Sequence, residues 1–457
     1  MARFAVTAIA TAVTLTLSGF APNVLASDDA RIAELEKRME ALEMELIEAR
    51  DAAKKQDRVK FSKHSPAPEL VSRDGKSTLE FKARIQADYV DVDELYTGKK
   101  TETYEPSHKE TGIRRLRLGL EGQFSRLWEY EIELDLAGNE VDLKDANVTW
   151  EGWDNQKLTL GYQKYAFGLQ ATQSSAHQIM MERASTDVFS PDRALGAQWR
   201  YAGNNWALSL GLGMEYSTLE EEDWDKDELE FVEEVSYPET DFYTARITWA
   251  PYRDNNNLLH LGASYMNLEI NDDVGELRYR ARPATRPTGR MVDTGKFDSE
   301  GAQHYGVEAL YQYRNLLLQS EYVAAKADAM EDPDVEVDAY YLTASWVITG
   351  EQWRYSRKKG AMKSPRPAKS VSEGGWGAWE LAVRYDKANF IDDNLKYGGD
   401  MTDWVIGLNW YLEDNLKAQL NYVYAEGDYD RAFEDKDGVD QTDQDTSVIQ
   451  ARLQFNF

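Results

Sequence analysis

From about residue 78 to its end, the chain repeats one pattern: runs in which apolar and polar side chains strictly alternate. Leu116, Leu118 and Leu120 alternate with Arg117, Gly119 and Glu121, and Tyr130, Ile132, Leu134 and Leu136 alternate with Glu131, Glu133 and Asp135. The same period recurs at Leu208–Tyr216, Tyr243–Trp249, Trp379–Tyr385 and Leu416–Tyr424. A period of two places alternate side chains on opposite faces of a strand, so one face is apolar along its whole length and the other polar. Each run is about nine to eleven residues, the length a tilted strand needs to cross a bilayer. Aromatics cluster near the run ends, as interfacial girdles require, and the polar face carries Gly, Arg, Glu and Asp throughout.

The connections sharpen this reading. Residues 92–111, 165–190, 217–240, 271–303 and 427–444 are long and polar, and between them lie tight turns such as Phe124-Ser125-Arg126, Arg314-Asn315 and Glu413-Asp414-Asn415. Short turns at one end and long loops at the other are the pattern of outer-membrane barrels. The run count predicts about sixteen strands with both termini on the periplasmic side. By parity, one long segment, residues 349–375, falls on the short-turn side. The 12 prolines are expected in the leader, linker, loops or strand ends. The chain closes on an alternating strand, Ile449 to Phe457, whose terminal Phe resembles a barrel-assembly signal. The expected fold is therefore an all-β transmembrane, antiparallel outer-membrane β-barrel preceded by a short α-helical coiled coil.

Ahead of the barrel the composition changes twice. Residues 1–26 have the form of a secretory signal peptide: Arg3, then an apolar stretch, then Val24-Leu25-Ala26 at the cleavage positions. Over residues 27–57, Ile32, Leu35, Met39, Leu42, Leu46 and Ala49 recur at alternating three- and four-residue steps among charged side chains. That spacing gives one apolar seam, which suits a self-associating periplasmic coiled coil or a lone amphipathic helix. Residues 58–76, with Pro66 and Pro68, form the expected linker, and residues 77–457 the barrel domain.

Composition narrows the chemistry. A net charge of −29 argues against nucleic acid as a partner. The absence of Cys excludes disulfides and thiol chemistry. Only five His are present, with no metal-ligand spacing, no Gly-x-Ser-x-Gly elbow and no phosphate-cradling Gly-rich loop, so neither metal, cofactor nor catalytic residue is expected.

Several separated motifs resemble the phosphate-selective porin O and P family. In order they are Lys144-Asp145-Ala146, Gly161-x-x-Lys164-x-x-Phe167-Gly168-Leu169, Met181-Glu182-Arg183 and Pro191-x-Arg193-x-x-Gly196. Arg280-Ala281-Arg282-Pro283 with Asp293-Thr294-Gly295, Thr349-Gly350-Glu351 with Arg354-Tyr355, and Gly377-Ala378-Trp379-Glu380 follow. Ala166 replaces the family's usual Pro and Gln170 its common Glu, departures that bear on the third loop rather than the fold. The resemblance implies a trimeric porin of a Gram-negative outer membrane, narrowed by inward-folded loops, in which basic residues guide phosphate or other small anions. Its surroundings would be outer-membrane lipid and lipopolysaccharide.

Two basic sets are candidates for that path. Arg278, Arg280, Arg282, Arg286 and Arg290 lie in one long loop with no acidic residue among them. Arginine forks hold phosphate oxygens by paired, charge-assisted hydrogen bonds, though the same residues could bind lipopolysaccharide phosphate at the rim or pair with acidic loops. Arg115 and Arg117 share the inward face of one strand, Lys164 opens the third loop and Arg183 lies within it; Glu131, Glu133 and Asp135 could instead tie them into a salt-bridge lattice. The acidic runs at Glu220–Asp223, Glu228–Glu234, Asp332–Asp338 and Glu434–Asp445 would repel anions at low salt. A general or cation-tolerant porin, and a plugged structural or adhesin barrel, are therefore the alternatives.

Overall fold

The computed structural model describes residues 28–54, 58–62, 65–98, 101, 103–138, 141–216, 239–270, 275–329 and 333–457. The expected signal peptide and the acidic run Glu228–Glu234 lie outside them. The chain divides into two units, residues 1–57 and 58–457.

In the first unit a helix, α1, spans Asp28–Lys54. Arg38 and Glu34 pair across one turn at 3.1 Å. Leu35, Met39, Leu42 and Leu46 of the expected seam are all exposed. No described helix is long and apolar enough to cross a membrane.

The second unit is a closed antiparallel barrel of sixteen strands. They are β1 (Thr78–Val92), β2 (His108–Phe124), β3 (Trp128–Asp135), β4 (Asp142–Trp150), β5 (Gln156–Lys164), β6 (Arg193–Ala202), β7 (Trp206–Tyr216) and β8 (Glu239–Arg253). The second half comprises β9 (Asn257–Ile270), β10 (Phe297–Tyr313), β11 (Leu316–Ala329), β12 (Val335–Val347), β13 (Ala378–Asn389), β14 (Asp400–Tyr411), β15 (Leu416–Glu434) and β16 (Asp440–Asn456). Each strand pairs with its sequence neighbours, and β16 closes on β1 from Val448 opposite Val92 to Asn456 opposite Arg84. Closure leaves no edge, so every ladder N–H and C=O within the bilayer has a partner. Along β10, Tyr305, Val307, Tyr311 and Tyr313 face outward while His304, Glu308 and Gln312 are buried inside. Alternation in sequence thus becomes an apolar exterior and a polar lumen.

Two expectations are corrected. Residues 58–76 are more than a linker: Arg58–Ser62 and Ser65–Val71 form a hairpin whose second strand pairs with Thr78–Glu80 of β1, and it holds Pro66 and Pro68. The last loop is also shorter than residues 427–444, because β15 and β16 run on past the barrel and leave only 435–439 as a turn. Pro251 sits where β8 changes register against β9, which spares a ladder hydrogen bond.

The barrel's apolar core lies inside it. Phe167 and Phe189 of the third loop and Met291 and Val292 of the fifth pack against inward-facing Phe242, Val323 and Val337. Gly168 starts this inward fold: its φ is 61°, and a Cβ there would collide with the Glu321 carboxylate. Glu321 accepts the Leu169 and Gln170 amides at 2.9 and 3.1 Å, and Gly168 donates to Ser264 at 2.9 Å.

The long segment on the short-turn side, 348–377, also enters the lumen. Trp353, Ala361 and Met362 are buried beside Leu258, Leu310 and Val347. Arg246 of β8 fastens it, donating to the carbonyls of Lys359 and Gly360, both at 2.8 Å, while its Nε meets Glu308 at 3.1 Å. His260 bridges Glu308 and the Tyr355 hydroxyl, 2.7 Å on each side. Removing one partner of such a buried pair strands the other, at a cost of about 3–5 kcal/mol. Glu308→Ala should therefore lower the unfolding midpoint and speed tryptic cleavage after Lys358 and Lys359 in the refolded protein. Unchanged cleavage would mean that Arg246 and Glu308 do not anchor the segment.

Candidate functional site: two basic cavities in the lumen

Among the described residues, two cavities lined by basic side chains lie inside the barrel. The outer, near the long loops, has a volume of about 400 Å³; the inner, toward the short turns, about 420 Å³. Arg115 and Arg183 line both, so the two are continuous in chemistry.

A β-bulge accounts for the junction. Gln86 of β1 pairs with Arg115, but Ala87 pairs with Ile113, so Arg114 is the extra residue of β2. The bulge breaks the alternation and lets consecutive arginines both reach the lumen. Arg114 grips Glu182 of the third loop with two contacts of 3.0 Å. Arg452 of β16 adds a contact of 2.8 Å to Glu182, and Arg384 of β13 holds the Glu182 carbonyl at 2.9 Å. Burial alone would raise the Glu182 carboxyl, but Arg114, Arg452 and Arg115 overcome it and hold it well below the usual range. The Met181-Glu182-Arg183 motif is thus clamped from three parts of the wall. Arg183 is left in the passage, with Asp187 at 3.4 Å and the Gln173 carbonyl at 3.2 Å.

The fifth loop builds the other side of the outer cavity. Its two motifs interlock: Arg280 pairs with Asp293 through the backbone, and the Tyr279 amide donates to the Thr294 hydroxyl at 2.9 Å. Arg278 is spent here on the Asp293 carboxylate, at 2.8 and 2.5 Å. Arg282 donates to the carbonyls of Arg286 and Thr288, at 2.7 and 3.0 Å. Arg280, Arg282 and Arg290 have no carboxylate partner among the described residues. Burial and the neighbouring charges of Arg282, Arg280 and Arg286 pull Arg290 down to about 9; burial, Arg286 and Arg280 pull Arg282 down to about 10.

In the inner cavity every lining carboxylate is paired. Lys82 holds Glu121 and Glu131, Lys157 holds Glu129, Arg117 holds Glu133 at 3.0 Å, and Arg193 holds Asp145 at 3.3 Å. Arg84, Arg115, Lys164, Arg200, Lys358 and Lys359 line the same cavity with no carboxylate partner among the described residues. Arg84 instead meets the hydroxyls of Ser175 and Ser174 at 3.0 and 3.4 Å. In the outer cavity Asp403 of β14 has no ion-pair partner among the described residues.

All nine basic residues singled out in the sequence line one or both cavities. Arg117, which also meets Asp135 at 2.8 Å, and Arg278 are engaged in ion pairs. Lys144 of the first motif pairs with Asp142. Sequence reasoning missed Arg84, Arg114, Arg193, Arg200, Arg384, Arg452, Lys358 and Lys359. Arg84 and Arg200 carry an inward-phase signal in their strands, whereas the bulge at Arg114 and the buried segment bearing Lys358 and Lys359 have none. His177 meets the Ser364 hydroxyl at 3.1 Å.

A family model described as phosphate-selective porin O and P matches residues 79–457. Porin O of Pseudomonas aeruginosa is 26% identical over 426 residues, spanning 85% of this chain and 90% of that one. A protein of Caulobacter vibrioides described only as uncharacterized is 30% identical over 353 residues, 76% of this chain and 68% of that one. Among solved structures, the outer membrane channel DcaP of Acinetobacter baumannii superposes with a TM-score of 0.50 at 11% identity, covering 84% of this chain and 98% of that one.

Guanidinium groups whose proton affinity is lowered lose charge as pH rises, not as it falls. Arg290 and Arg282 therefore keep their charge through neutral pH, so anion selectivity should persist between about pH 5 and 8. Cation selectivity anywhere in that window would assign control of the path to groups other than the fifth-loop arginines.

Proposed function

The chain belongs to the phosphate-selective porin O and P family, channel-forming barrels of the outer membrane, and from that premise we propose that it conducts inorganic phosphate and other small anions by facilitated diffusion. The observation that carries this reading is the imbalance of partners in the lumen. Each carboxylate lining the inner cavity has a cation partner, four cations serving five such carboxylates, and six further cations have no carboxylate partner among the described residues. An anion entering the outer cavity meets Arg280, Arg282 and Arg290, passes Arg115 and Arg183, and leaves past Arg84, Lys164, Arg200 and the two lysines. Each contact replaces part of the hydration shell without holding the ion so tightly that it stops. The folded-in loops set the size limit. No energy coupling is involved.

The remainder of the chain fits an exported trimer. In this reading residues 1–26 direct export and are removed, and residues 27–57 assemble three copies through the seam of Leu35, Met39, Leu42 and Leu46. The exposure of those four side chains on α1 supports it. The net charge of −29 favours the runner-up, a cation-tolerant pore with an acidic mouth.

Titrating phosphate into a chloride current across a planar bilayer separates the two. Half-block is expected at about a millimolar or below, and at about tenfold higher phosphate once Arg280→Gln and Arg282→Gln remove two forks. A chloride current indifferent to phosphate in the wild-type protein would refute the phosphate path.

A further inference from the structure

The barrel's outer wall carries an apolar groove of about 550 Å³ across β10–β13, lined by Tyr311, Tyr313, Leu318, Ala344, Trp346 and Val383. Register explains its shape. Tyr311, Leu318, Ala344 and Val383 form one outward-facing row, and Tyr313, Leu316, Trp346 and Leu381 form the next row toward the short turns. Ala344 is the small member of its row, so the wall dips there between Leu318 and Val383, beside Trp346.

Tyr313 and Trp346 stand in the row nearer the short turns. The hydroxyls of Tyr311 and Tyr313 and the Trp346 indole N–H have no protein partner among the described residues. By contrast, the indoles of Trp379 and Trp410, at the same end of β13 and β14, donate to the Trp376 carbonyl at 3.2 and 2.9 Å. Below Tyr313 the tight turn places Arg314 with its guanidinium 5.5 Å from the centre of the Tyr313 ring. The turn is fixed by a left-handed φ of 52° and by the Arg314 amide donating to Asn256. Arg314 is exposed and has no carboxylate partner among the described residues.

We infer that this groove is a binding site for one glycerophospholipid of the periplasmic leaflet. The phosphate sits on Arg314 within reach of the Tyr313 and Trp346 donors, and one acyl chain lies over Leu318, Ala344 and Val383. Charge and position single out this occupant. The cation and the amphipathic rings stand at headgroup level, and the apolar dip runs from them toward the middle of the bilayer, the order of parts in a phospholipid. An apolar cleft of a few hundred Å³ with a few convergent polar groups is also the usual form of a small-molecule site.

Native mass spectrometry of the delipidated full-length protein, titrated with phosphatidylglycerol or with diacylglycerol of the same chains, tests this. One phosphatidylglycerol per protomer should remain bound and diacylglycerol should not. Occupancy should fall about tenfold in Arg314→Gln, which loses a charge-assisted contact, and in Ala344→Trp, which fills the dip. Both side chains face outward, and unchanged heat-modifiable migration would certify each variant's barrel. Equal retention of diacylglycerol, or wild-type occupancy in Ala344→Trp, would overturn the assignment. So would efficient crosslinking of cysteines placed at 344 between protomers, since a second copy would then cover the groove.

Discussion

The structure depends on the closure of β16 onto β1. A sheet in hydrocarbon cannot keep an open edge, because each unpaired N–H or C=O there costs several kcal/mol. Nine residue pairs from Val448–Val92 to Asn456–Arg84 remove that edge. Once the sheet is closed, period two dictates which side chains face lipid and which face the lumen, and the lumen becomes the only place for polar and charged groups. The third and fifth loops and the 348–377 segment then fold into that space because they carry apolar residues, Phe167, Phe189, Met291 and Met362 among them, that neither water nor lipid headgroups would solvate as well. The two cavities are what this filling leaves open.

An acidic protein can nonetheless hold a basic passage. Net charge is a sum over the whole surface, whereas selectivity is set by groups left unpaired at the narrowest place. Carboxylates on the inner wall of β2–β4 are each matched by a lysine or arginine from the same or a facing strand. Glu182, the acid nearest the junction, is outnumbered by the arginines that hold it. Those pairings engage the acidic side, while Arg84, Lys164, Arg200, Arg280, Arg282 and Arg290 have no carboxylate partner among the described residues.

Much of this was legible in the sequence because it follows from local rules. Strand positions, the inward phase of Arg115 and Arg117, the parity that puts 349–375 on the short-turn side, and the recurrence of arginine in the fifth loop all read directly from spacing. What escaped depends on pairing between distant segments. Nothing near Arg114 announces that β1 slips by one residue opposite it. Arg278 looks unpaired in a run without acids, yet Asp293 returns to it through the backbone turn. Lys358 and Lys359 look like solvated surface until Arg246 draws their segment inside. The hairpin at residues 58–71 was hidden by Pro66 and Pro68, which are tolerated because its strands lie at the margin of the sheet.

The central claim is that uncancelled cations rule the passage, and the zero-current potential of the purified protein in a planar bilayer under a KCl gradient tests it most directly. The account predicts a potential whose sign reports chloride crossing faster than potassium, retained at high salt, where the acidic exterior is screened and the lumen is not. A potential of the opposite sign at high salt would contradict it and leave an outer-membrane barrel whose acids, not its arginines, choose the ion.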